Sequence, residues 1–140
     1  MANTGYKYGS WAFAKDDGGD DWNGDALADN GTEISNTPIS LDQKSHCLVA
    51  VGALEDNTGA IDGVVTIYVL GDGGGEEYED PTQGNPMQFT LTPEQNDEVW
   101  TQFAVSGREY DDFLIGVKNE AGQELAITVS YKTADIPVAS

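Results

Sequence analysis

The sequence predicts an all-β fold: one domain built as an antiparallel two-sheet sandwich of about eight strands, jelly-roll or Greek-key-like in its connections. Three observations carry that prediction. Apolar residues recur with a period of two, the signature of strands, not 3.6. The runs they form are short and are separated by segments rich in Gly, Asn and Asp, which are turn formers. The 25 acidic residues gather in those segments, seven of them between Asp16 and Glu33 and five between Asp72 and Asp80, so the apolar runs stay almost uncharged.

Taken in order, Tyr6, Tyr8, Trp11 and Phe13 mark an aromatic first strand broken by Gly9, and Ile34 to Leu41 reads as an irregular edge strand interrupted by Pro38. Cys47 to Leu54 and Val64 to Leu70 are apolar on both faces. Parity places Cys47, Val49, Val51 and Ala53 on one side of the first of these and Leu48, Ala50, Gly52 and Leu54 on the other. Such strands lie centrally, or cover their second face with a loop or another subunit. Their connection, Glu55 to Gly63, carries the turn residues expected between adjacent strands.

Met87, Phe89 and Leu91 alternate with Gln88 and Thr90. Thr92-Pro93-Glu94-Gln95 has the form of a capping box, so a single helical turn over Pro93 to Asp97 is expected, leading into a strand with Val99, Thr101, Phe103 and Val105 in step. Phe113, Ile115 and Val117, then Leu125, Ile127, Val129 and Tyr131, form two alternating runs joined by a polar connection, and together they read as a C-terminal hairpin. The expected core is Val49, Val51, Val65, Ile67, Val69, Phe89, Leu91, Phe103, Phe113, Ile115, Val117, Ile127 and Val129. Residues 1–5 and 133–140 are expected as short flexible ends of the domain 1–140.

Charge bounds the partners. Six Lys and Arg against 25 Asp and Glu give a formal net charge of -19. Nucleic acid is gripped by cations that displace its counterions, and the six here (Lys7, Lys15, Lys44, Arg108, Lys118, Lys132) stand singly. Nucleic acid and anionic membrane are therefore not expected as partners. One cysteine, Cys47, leaves no internal disulfide framework, and the start MANTGYKYGSW has no basic and then apolar signal, so folding in a cytoplasm is expected.

Few residues suggest chemistry, and no catalytic residue is expected. His46 and Cys47 are the single members of their types, but strand neighbours project to opposite faces and cannot exchange a proton. Gly71 to Glu77 has the glycines of a phosphate cradle with carboxylates that would repel a phosphate. Calcium is the one ion the pattern favours: Asp21, Asn23, Asp25 and Asp29 follow the spacing of a calcium loop, with Asp16, Asp17 and Asp20 nearby, although Ala26 and Thr32 replace its glycine and bidentate glutamate. No other cofactor is expected. Trp22, Tyr78 and Tyr110 sit in acidic or glycine-rich segments, where they pack locally or offer faces to a sugar.

The order of segments resembles that of small β-rich virion structural proteins of tailed bacteriophages. The residues that carry it are Gly5 to Trp11, Val65 to Asp72, Asp80-Pro81 with Gly84 to Pro93, and Ile127 to Pro137. The resemblance implies a non-enzymatic protein that decorates or cements the outer surface of a capsid, as a homotrimer in contact with the major capsid protein, or a part of the tail. The charge suits an exterior position. Leu48, Ala50 and Leu54 are the expected contact surface, with Ile136, Pro137 and Val138 in an arm that orders on contact. A lectin-like carbohydrate-binding module is the rival reading.

Overall fold

The computed structural model describes residues 6–55, 59–71 and 86–136. It is all-β, with two five-stranded antiparallel sheets packed as a sandwich and no helix among the described residues. Ten strands follow in chain order: β1 (Ala12–Phe13), β2 (Asp25–Leu27), β3 (Thr32–Ile34), β4 (Ile39–Ser40), β5 (Lys44–Leu54), β6 (Val65–Gly71), β7 (Met87–Leu91), β8 (Glu98–Ser106), β9 (Asp112–Asn119) and β10 (Leu125–Asp135). The front sheet runs β8-β5-β10, with β1 and β2 side by side along the far edge of β10. The back sheet runs β7-β6-β9, with β3 and β4 along β9.

The core lies where the two inner faces meet. From the front sheet come Cys47, Val49, Val51 and Ala53 of β5, Phe103 and Val105 of β8, and Leu125, Ile127 and Val129 of β10; from the back sheet, Val65, Ile67 and Val69 of β6 and Phe113, Ile115 and Val117 of β9. Every expected core residue is buried except Phe89, which lies half-exposed at the open side of the sandwich and stacks on Phe103 with ring centroids 4.2 Å apart. This stack closes the gap between the edge strands β7 and β8.

Connections depart from the expectation in two places. β9 and β10 are not a hairpin, because β9 belongs to the back sheet and β10 to the front; β5 and β6 are likewise in different sheets. Both pairs bury an inner face, and their loops cross the roughly 10 Å between sheets. The β9–β10 crossing is held by the fully buried Asn119, whose Nδ2 donates to the Leu27 and Gln123 carbonyls while its Oδ1 accepts from Ala121 N.

The helical turn expected over Pro93 to Asp97 is absent. Asn96 adopts φ 57°, a left-handed conformation that cannot continue a right-handed turn, and its N–H donates to Oε2 of the buried Glu55 at 2.8 Å. The acidic stretch from Asp16 to Glu33 is also not one loop, since it contains β2 and most of β3. Finally, β10 continues through Thr133, Ala134 and Asp135, which had been placed in a flexible end, because each still has a partner on β5. Residues 1–5 and 137–140, and with them Pro137 and Val138, lie outside the described residues.

Candidate functional site

The outer face of the front sheet is the most distinctive surface of the molecule. Directly paired residues share a face, so the register defines rows: Trp100, Gly52 and Thr128; then Gln102, Ala50, Ser130 and Phe13; then Ala104, Leu48 and Lys132; then Ser106, His46, Ala134 and Tyr8. Leu48, Ala50 and Leu54 of β5 stand on this face, half-buried, as parity required. Where the register is regular, from Leu54 to His46 of β5 with their partners on β8 and β10, Glu98 is the one outward carboxylate, and past the register shift the exposed Asp135 of β10 pairs with Lys44 at 2.6 Å. A chain of net charge -19 thus keeps one face nearly free of negative charge.

Aromatic residues fill it. Trp100 is 46% exposed, Trp11 45%, and Tyr8 and Phe13 38% each, whereas a solvated strand face ordinarily carries polar groups. Trp100 lies across Gly52 so closely that a Cβ there would stand 2.6 Å from the indole Cε2; only glycine lets the ring lie flat on the sheet. Its Nε1 donates to Glu98 Oε1 at 2.8 Å, which fixes the ring's orientation. At the other end of the face, Lys132 Nζ sits 4.8 Å from the centroids of both Tyr8 and Trp11, a double cation–π contact that pins these rings side by side. Tyr8 Oη and His46 Nε2 are 2.7 Å apart, and Tyr6 meets the His46 ring edge-on.

A second cluster lies at the edge formed by β2 and β3. Oxygens of Asp16, Asp25 and Glu33 lie within 4.8 Å of one another, spacing that fits around one calcium ion with 2.3–2.6 Å bonds. A hydrogen bond between the Asp16 and Asp25 carboxyls, followed by burial, pushes Asp25 up to about 6, while the same bond and the N–H groups of Asp20, Gly18 and Gly19 hold Asp16 below the usual carboxylate range. Burial raises Glu33. As pH falls through about 6 the Asp16–Asp25 pair therefore takes up a proton, and a divalent cation would compete with it.

Of the four residues whose spacing suggested calcium, this group includes Asp25 alone. Asp21 pairs with Lys15 at 2.7 Å, Asp29 Oδ1 accepts from Gly122 N at 2.9 Å, and Asn23 N donates to the Asp21 carbonyl. Glu33 was missed because it falls outside the loop spacing and reaches the cluster through β3. Cys47 is fully buried, and that burial pushes its thiol up to about 12, while His46 points to the opposite face; the two are apart as the strand geometry requires. Trp22 is fully buried in the core and offers no face to a sugar. Tyr110 packs edge-on against Phe113, and Tyr78 lies outside the described residues.

No family model matches the chain, and no curated protein does. Among solved structures it is similar to a chain of the disulfide-linked pili that form Bacillus endospore appendages, at 15% identity over 97% of this chain and 95% of that one, with a TM-score of 0.42. It is also similar to a CBM4 carbohydrate-binding module (15% identity, 81% and 66% covered, TM-score 0.38) and to the CBM6cm-2 module of Cellvibrio mixtus lichenase 5A in complex with cellotriose (12%, 87% and 84%, 0.39).

Proposed function

We propose that this protein is a non-enzymatic structural protein that works by binding copies of itself through the outer face of the front sheet, and that it serves as a decoration or cement protein on the outside of a phage capsid. The observation that carries the self-association is the concentration of exposed aromatic residues, Trp100, Trp11, Tyr8 and Phe13, on one face of the front sheet. Contiguous apolar surface of this kind marks contact sites on soluble proteins. Two copies meeting there bury Trp100, Trp11 and Phe13. The capsid setting rests on the order of sequence segments, and the charge of the remaining surface suits an exposed position that keeps particles apart.

Contact between such highly charged copies has a defined salt response. Screening at moderate salt reduces the long-range repulsion and leaves the apolar contact intact, so assembly strengthens as salt rises. The test measures particle mass against concentration at low and moderate salt, followed by addition to purified bare heads. Growth in mass with salt, and saturable binding to heads, is the expected outcome. A protein that stays monomeric in both salts and ignores heads would overturn the reading.

A second reading is favoured by one particular geometry. The Trp100 ring lies flat on Gly52 with one face open, and Gln102 and Glu98 stand beside it, an arrangement that can stack a pyranose ring and hydrogen-bond its hydroxyls. Titration with a neutral oligosaccharide separates the two, because it would quench Trp100 emission of a monomeric protein only if this second reading holds.

A further inference from the structure

The front sheet ends in a long bare edge. β8 runs for nine residues, paired with β5 on one side and with no strand on the other among the described residues. The other margins are shorter: β1 and β4 are two residues long, β2 and β3 three, and β7 five. Edge strands are ordinarily guarded by lysine, proline, a bulge or an inward charge, because a bare edge is a template for a further strand. β8 has none of these guards. In a chain of net charge -19, Val99 to Ser106 holds no charge and no proline, and its register with β5 is unbroken.

The phase of the ladder tells which backbone groups are free. Gly107, one step beyond the His46–Ser106 pair, donates its N–H to the opposite carbonyl of Ser45 at 2.8 Å. Opposite residues alternate between exchanging bonds and not, so Val99, Thr101, Phe103 and Val105 turn their N–H and C=O groups to β5. Trp100, Gln102 and Ala104 turn theirs outward, and none of those groups has a partner among the described residues. Side chains leave this row clear, since the Trp100 ring is folded back over Gly52 and Ala104 carries only a methyl.

We propose that β8 pairs antiparallel with β8 of a second copy around a twofold axis at Gln102, so that the two front sheets continue as one. The strand is complementary to itself, which argues for a second copy as the occupant. In this register Gln102 faces its own counterpart and Trp100 faces Ala104, each pair exchanging both N–H···O bonds. On the inner side Val99 faces Val105 and Thr101 faces Phe103, β-branched and aromatic partners that stabilise a sheet. Glu98 meets Ser106, so no two like charges face each other along the strand. The seam passes the open side of the sandwich, where Phe89 is half-exposed. Such a contact is isologous and closes as a dimer. It goes beyond packing of the outer face and is separate from it, since edge pairing leaves Trp11 and Phe13, along the far side of β10, uncovered.

Amide exchange followed by NMR at low and high concentration, in moderate salt, tests this. The amides of Trp100, Gln102 and Ala104 should exchange fast in the monomer and slow together by at least about tenfold as the mass doubles, while those of Thr101 and Phe103 stay protected in both. Q102K and Q102E should each lose about twofold to fivefold in self-affinity, because like charges then face each other across the axis, and their mixture should recover it. A28K, the same charge change beyond the end of β2, should lose nothing. Gln102 and Ala28 are exposed, and circular dichroism of each variant checks that the fold is kept. Unchanged exchange of the three amides in a sample whose mass shows assembly would overturn the pairing and leave the outer-face contact standing. Wild-type affinity in Q102K and Q102E, or no recovery on mixing, would do the same. Protection that appears only when bare heads are added would give the edge to a capsid strand and overturn it likewise. Protection of the three amides with Trp11 still open to oxidation would keep the edge contact and remove the face, and a wild type that is monomeric throughout would remove both.

Discussion

Replacing Trp22 by alanine is the sharpest probe of how the acidic segment is tied to the sandwich. Trp22 is fully buried, with its N–H donating to the Ala14 carbonyl and its own carbonyl accepting from Val129 N, so backbone and side chain together fasten the segment between β1 and β2 to β10. A buried indole removes about 150–250 Å² from water, which at roughly 25 cal/mol per Å² is about 4–6 kcal/mol. Against this, the Trp22 Nε1 has no hydrogen-bond partner among the described residues, and an unsatisfied buried donor costs about 1–3 kcal/mol. The burial term wins, and Trp22→Ala should destabilise by about 3 kcal/mol. Trp22→Phe keeps a ring and deletes the orphaned donor, so its cost should stay under about 1.5 kcal/mol. Urea unfolding measures both, and the blue-shifted component of tryptophan emission should vanish in each variant because Trp11 and Trp100 are exposed. A Trp22→Ala protein within about 0.5 kcal/mol of the wild type would refute the burial of this residue and with it the anchoring of the segment.

Two further predictions follow from the packing and the electrostatics. Ile127→Ala, at the centre of the core, should cost about 2–5 kcal/mol by urea melt, and unchanged stability would contradict the strand register that turns Ile127 inward. Asp25 is raised to about 6 in the folded protein against an ordinary value of 3.8, so the native state binds more protons between these values, and stability from this group is full below about pH 4 and is lost as pH rises through 6. Asp25→Asn should flatten that part of the pH profile of the melting temperature, and millimolar calcium should raise the wild-type melting temperature near pH 7 but not the variant's if the Asp16–Asp25–Glu33 group takes the ion; identical pH profiles for the two proteins would sink the shared-proton account.

Much of the sandwich was legible because period-two alternation is a property of single strands. Val117 and Ile127 are inward for the same reason that they alternate with smaller or polar neighbours. What could not be read was pairing between strands. Phe113 to Val117 and Leu125 to Tyr131 look like a hairpin because a short polar loop joins them, yet the same loop also serves a crossing between sheets, and only the buried Asn119 distinguishes the two. The expected helix failed on one residue, Asn96, whose left-handed φ is permitted for asparagine and invisible to a capping-box pattern.

The candidate site shows the same division. The apolar outward positions Leu48, Ala50 and Leu54 were visible from parity alone. Their neighbours Trp100, Phe13, Trp11 and Lys132 were not, because they join the face through the register of β8, β1 and β10 with β5. Of the two readings of Trp22, local packing is the one found: an acidic stretch in sequence is a buried anchor once Ala14 and Val129 hold its backbone. The acidic cluster was half-read, since spacing along the chain found Asp25 but not Glu33, which arrives from β3.

Oxidative footprinting of tryptophan tests the central claim most directly, because it reports on the proposed contact face itself. Trp11 and Trp100 are exposed on the outer face of the front sheet and Trp22 is buried, so the three report on the contact and on the fold at once. The protein would be oxidised at low and at high concentration in moderate salt, and the modified tryptophans read by mass spectrometry. Trp11 and Trp100 should become protected together as concentration rises, while Trp22 stays unreactive throughout. Equal oxidation of Trp11 and Trp100 at both concentrations, in a sample whose mass shows assembly, would mean that copies meet elsewhere and would contradict the assignment of this face.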